Sequence, residues 1–146
     1  MTVDDEAEHA IGTALSRYCR TFDEAQFEEF AALFERGRWF MVAEPGSRPV
    51  HEWIDQHIVL YDGRPLTRHV VSGLVVDVDG APREATFRCN ITIAQQLPGE
   101  DERILAHARF TGTFRKEDDR WWWRDHTMHA EQAGDLSTHI RGGVPS

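Results

Sequence analysis

A chain of 146 residues with 40% apolar and 28% charged side chains has the size and composition of one soluble globular domain. Asp and Glu outnumber Lys and Arg 25 to 16, and the resulting formal charge of −9 argues against nucleic acid and membrane surfaces as partners, since both reward a basic face. The sole lysine, Lys116, stands in the charged turn RKEDDR, which leaves Schiff-base chemistry without a desolvated amine. No apolar run approaches the roughly 20 residues of a membrane helix. The acidic start MTVDDEAEH lacks the features of a secretory signal, which predicts a cytoplasmic protein. Cys19 and Cys89 have neither CxxC nor zinc-type spacing and are expected as buried free thiols.

In chain order, Ile11, Leu15, Tyr18 and Phe22 follow spacings of four, three and four and mark one face of a helix. A second helix carries Phe27, Phe30, Ala31 and Phe34 on one stripe. RWFMVAE, from Arg38 to Glu44, reads as a short strand closed by Pro45 and Gly46, and HEWIDQHIVLY reads as a third helix. From His69 onward the character changes. HVVSGLVVDV, EATFRCNITIAQQL, RILAHARFTGTFR and WWWRDHTMHAE are four strand-like runs separated by DGAP, PGED and KEDDR, which predicts an antiparallel meander. Helices gathered on one face of a bent antiparallel sheet make an α+β fold, a cone whose cavity suits a small hydrophobic molecule.

Four residues are candidates for chemistry, and each has a plainer use. His69, at the mouth of the first long strand, is a core histidine, a metal ligand or a proton carrier. Asp23 begins DEAQ, a capping box with Gln26 that would place it at the N-cap of the second helix; its carboxylate could equally orient His69. Tyr18 lies on the apolar stripe, either as core or as a hydroxyl donor to a substrate oxygen. His126 and Arg124 alternate with Trp123 and Asp125, which puts them on the strand face opposite Trp123; an inward His126 would serve as second acid or anion partner. Trp39, Trp53 and Met128 are expected in the cavity wall against substrate. His129, Glu131 and His139 have the composition of an iron facial triad, but His139 falls in an expected C-terminal tail, so no metal site is assigned. There is no phosphate loop and no nucleophile elbow.

Tyr18 with Asp23 five residues on, TRH opening the first long strand, and DRWWWRDHTMH followed by GDLSTHI together resemble the SnoaL-like branch of the nuclear transport factor 2-like superfamily. The resemblance covers residues 7–140 and implies a single cone-shaped domain over 1–146 with a flexible C-terminal tail. The branch includes scytalone dehydratase, bile-acid 7α-dehydratase, hexachlorocyclohexane dehydrochlorinase, ketosteroid isomerase, polyketide cyclases and small subunits of ring-hydroxylating dioxygenases. In the dehydratases and the dehydrochlorinase an aspartate after the first helix pairs with a histidine opening a long strand, which implies Asp23 and His69 here; the bile-acid enzyme's tyrosine matches Tyr18. Their leaving-group arginine, counted from the last-strand tryptophan, falls on His126, with Arg124 two residues earlier. The implied activity is cofactor-free acid–base catalysis of a dehydratase-like lyase, with isomerase or polyketide cyclase as the alternative. A non-catalytic binding module or dioxygenase small subunit is the other class, expected to show a plugged cone. The outer sheet face, expected to carry Phe110, Phe114 and the tryptophans, predicts a homodimer or else a trimer.

Overall fold

The computed structural model describes residues 2–79 and 83–142. Helix α1 (Val3–Asp23) starts at a capping box in which Thr2 and Asp5 satisfy each other's backbone N–H groups. Asp4, Asp5 and Glu6 in its first turn and Arg20 in its last complement the helix dipole. Its buried stripe, Ala7, Ile11, Leu15, Tyr18 and Phe22, lies on the sheet. Asp23 ends α1 rather than capping the next helix. Ala25 takes a φ of 60°, and α2 (Phe27–Ala32) starts after Gln26 with no side-chain cap bond, so the expected DEAQ capping box does not form.

The predicted strand over 38–44 is absent. The segment instead turns back on itself, with Val42 N–H donating to Trp39 O at 3.1 Å. Arg38 reaches the free edge of the last strand, its backbone N–H donating to Arg124 O at 3.0 Å and its guanidinium to His126 O at 3.3 Å. Helix α3 (Ser47–His57) begins four residues before the predicted start, because Pro49 sits in its first turn, where a missing N–H costs no hydrogen bond.

The four strands form one antiparallel sheet in the order β1 (Thr67–Val78), β2 (Glu84–Gln95), β3 (Arg103–Glu117), β4 (Arg120–Ala133). Every pairing carries a register shift, four in all, between Ser72 and Val75, Ile93 and Ala94, His107 and Ala108, and Thr113 and Phe114. Each inserted residue bends its strand and strengthens the twist, which curves the sheet around α1. Phe110 and Phe114 point into this hollow and are 1% exposed. The outer face presents Thr86, Arg88, Asn90, His107 and Arg109 together with the exposed Val70 and Val75, so Phe110 and Phe114 are not part of the outer surface on which they were expected. Among the described residues no helix is long and apolar enough to cross a membrane.

The segment after β4 is pinned. Ile140 bridges Ile58, Val59 N–H donates to His139 O at 2.9 Å, and Arg141 N–H donates to His57 O at 2.7 Å. His139 therefore belongs to the framework and not to a loose tail; the tail beyond Gly142 lies outside the described residues.

Candidate functional site

The end of α1 meets the start of β1 through one carboxylate. Asp23 Oδ2 accepts from His69 N–H at 2.8 Å, and Oδ1 accepts from the Thr67 hydroxyl at 2.8 Å and faces His69 Nδ1 at 2.6 Å. An ionised carboxylate only accepts, so His69 Nδ1 carries the hydrogen and Nε2 keeps its lone pair. The bonds from the His69 backbone N–H and the Thr67 hydroxyl fix the carboxylate independently of the imidazole, which makes the pair rigid. The His69 side chain is 5% exposed and Asp23 18%, the latter toward a groove between α1 and β1.

On its other side His69 opens into an apolar cavity of about 200 Å³ within the cone. Tyr18, Trp39, Trp53 and Met128, all expected there, line it, joined by Phe22, Phe40, Met41, Phe110, Leu136 and Ile140. The cone is hollow rather than plugged. Tyr18 is 3% exposed, and its hydroxyl oxygen accepts from Trp39 Nε1 at 3.1 Å. Burial pushes its pKa up, so the phenol stays protonated. Its own hydrogen has no acceptor among the described residues and is free for a ligand oxygen.

The last strand departs from the alternation read in sequence. Thr113 pairs with Asp125 and Phe114 with Trp123, so Arg124 is the extra residue of a bulge. The bulge returns Trp123 and His126 to the same inner face. Two glycines accommodate it: a Cβ on Gly37 would lie 2.0 Å from Trp123 O, and one on Gly112 would lie 2.2 Å from Asp125 O. Arg124 is thereby removed from the substrate-binding set; its guanidinium donates to Glu117 Oε1 at 3.0 Å, away from the cavity wall.

His126 does face inward, yet it is 0% exposed and lies behind the cavity wall. It stacks on Phe34 at 5.9 Å and meets Phe110 edge-on at 4.4 Å. Neither ring nitrogen has a partner among the described residues. Burial, and to a lesser extent the Arg38 charge, lowers its pKa to about 3. A ring that is neutral at pH 7 has no proton to give as a strong acid, which removes the second-acid role assigned to it.

The residue missed in this wall is His139, which lines the cavity at 5% exposure. A signal was present: Leu136, His139 and Ile140 recur at three and four residues, the face of a single helical turn. The iron-type set does not assemble, because His129 and Glu131 are exposed on the outer face while His139 is buried. Among the described residues no three His, Cys, Asp or Glu side chains gather as a metal site. Cys89 is buried and Cys19 partly so; desolvation pushes their thiols up to about 11 and about 12, which keeps both protonated.

The sequence matches the model of the SnoaL-like domain over residues 4–127. No curated protein matches it. Among solved structures, a Mycobacterium tuberculosis protein of unknown function aligns with 21% identity over 90% of this chain and 77% of its own, at a TM-score of 0.72. A nuclear transport factor 2-like protein with a cystatin-like fold from Novosphingobium aromaticivorans gives 20% identity over 92% and 86%, at 0.70. A protein of the same organism, provisionally named a scytalone dehydratase, gives 20% over 98% and 95%, at 0.72. At these identities the likeness is one of fold.

Proposed function

The chain belongs to the SnoaL-like domain family, and we propose from that premise that it is a cofactor-free acid–base enzyme, a dehydratase-like lyase acting on a small apolar molecule inside the cone. The observation that carries this reading is the Asp23–His69 pair, held by three hydrogen bonds and opening by its imidazole into an apolar cavity. His69 Nε2 takes a proton from carbon, and Asp23 balances the imidazolium that forms. Tyr18 donates to the oxygen on which negative charge develops. In an elimination the C–H electron pair becomes the new double bond as the C–O bond breaks. The imidazolium can return the same proton to the departing hydroxyl, so that water leaves and His69 is regenerated. A double-bond isomerisation or an aldol cyclisation starts with the same abstraction. A volume of about 200 Å³ suits one small ring and is short for a steroid.

The shared first step gives a test that needs no knowledge of the full reaction. Small cyclic ketones are incubated with the protein in D₂O, and α-hydrogen exchange is followed by NMR. The expected result is exchange above buffer that falls by about 10²–10⁴-fold in His69→Ala. Exchange that survives in that variant, or none in the wild type, rejects the reading.

A further inference from the structure

The C-terminal turn carries an imidazole into the cavity for which the dyad has no use. Its backbone is clamped on both sides of the ring. Thr138 O accepts from the Tyr61 hydroxyl at 2.7 Å and from the Gln95 amide at 3.1 Å, and His139 O accepts from Val59 N–H at 2.9 Å. The ring lies edge-on to Phe22 at 5.8 Å, and Phe22 is also 5.1 Å from His69. The two imidazoles thus share one phenyl neighbour in the wall of the hollow. His139 Nδ1 is buried with no hydrogen-bond partner among the described residues. Of the other polar groups of the wall, the Tyr18 oxygen accepts from Trp39 and keeps its own hydrogen for a ligand, and His69 Nδ1 is engaged by Asp23. The His139 ring itself lines the cavity, and an imidazole left unpaired costs free energy that a ligand atom reaching it can recover.

We infer that His139 is a second polar anchor for the ligand, which makes the molecule taken up a small ring bearing two hydrogen-bonding groups, one for Tyr18 and one for His139. The inference extends the acid–base reading and rests on it only for the carbon presented to His69; the anchor itself is a binding property. Burial, and next the nearby His69, lower the His139 pKa to about 3, so the ring is neutral at pH 7. A neutral imidazole offers one donor and one acceptor, which suits a hydroxyl and offers no charge to a carboxylate. With both ends held, the ring cannot tumble, and one carbon is kept over His69 Nε2.

Resorcinol, phenol and toluene are rings of nearly equal size with two, one and no hydroxyls. Their binding to the whole chain is measured by calorimetry, with imidazole ¹⁵N shifts recorded alongside. Resorcinol is expected to bind tightest and to move the His139 resonances. In His139→Phe its affinity is expected to fall about three- to tenfold while toluene is unaffected. His139→Gln, which keeps a donor and an acceptor, is expected to restore part of the loss, with folding of each variant verified by thermal unfolding. No preference for resorcinol in the wild type, or a preference unchanged in His139→Phe, overturns the anchor. A protein inert in the exchange assay that still prefers resorcinol sinks the catalytic reading and leaves the anchor standing.

Discussion

Replacing His126 by phenylalanine should free the fold of much of its acid sensitivity. The imidazole sits among Phe34, Phe40, Phe110, Trp123 and Tyr18, with Arg38 as the nearest charge, and its pKa is held at about 3. A histidine whose folded pKa lies below its unfolded value binds fewer protons folded than unfolded. Its stability contribution is therefore intact above about pH 6.5 and is lost as the pH falls toward 3. For one such group the loss between pH 7 and pH 5 is about 2 kcal/mol. His139, lowered to about 3 by burial and then by the His69 charge, with Asp23 acting the other way, adds a similar amount. The two together, about 4 kcal/mol, are a large part of the 5–15 kcal/mol typical of a domain. In His126→Phe a ring of similar size replaces one with two unpaired nitrogens, so stability at pH 7 should hold or rise. The decline from pH 7 to pH 5 should be about half that of the wild type. Urea unfolding at pH 7, 6 and 5 reads both quantities. A variant whose decline runs parallel to the wild type would refute the account of a buried neutral imidazole.

Two more perturbations test how the site is built. Gly37→Ala places a Cβ against Trp123 O at 2.0 Å and must displace the β4 bulge; a loss of about 3 kcal/mol, near 10 °C in Tm, is expected by calorimetry, and an unchanged Tm would contradict the close approach. Asp23→Ala strips Thr67 and both His69 donors of their acceptor, so a loss of about 2–4 kcal/mol in urea unfolding is expected, together with release of the Nδ1 proton in imidazole NMR spectra. A stable variant whose Nδ1 proton stays protected would remove Asp23 from its place beside His69.

Where local periodicity and tertiary structure agree, the sequence is easy to read. The α1 stripe and the alternation of β2, with Ala85, Phe87, Cys89 and Ile91 buried in turn, are cases in which one face meets the core without interruption. Segment 38–44 misleads because its apolar residues serve a cavity wall, and no partner strand is there to pair with them. Asp23 fits two local rules at once. DEAQ satisfies the spacing of a capping box, but α1 continues through Asp23, which swings the carboxylate toward β1 and away from the amides of α2. The deciding contact lies 46 residues away, at a range no local pattern reports.

The β4 bulge shows how one residue can reassign a site. Strict alternation makes Arg124 and His126 neighbours on one face and opposes them to Trp123; one inserted residue reverses that assignment for everything N-terminal to it. The consequence is chemical. With Arg124 tied to Glu117 and His126 neutral behind the wall, the cavity holds, among the described residues, no arginine or lysine, and the proposed mechanism makes its one cation at His69 itself. A leaving group that departs as a halide would find no arginine or lysine among the described residues of this wall to receive it. A hydroxyl can instead take back the proton His69 has just removed. On the proposed acid–base reading, the same geometry therefore favours loss of water, or a reaction with no leaving group, over dehydrohalogenation.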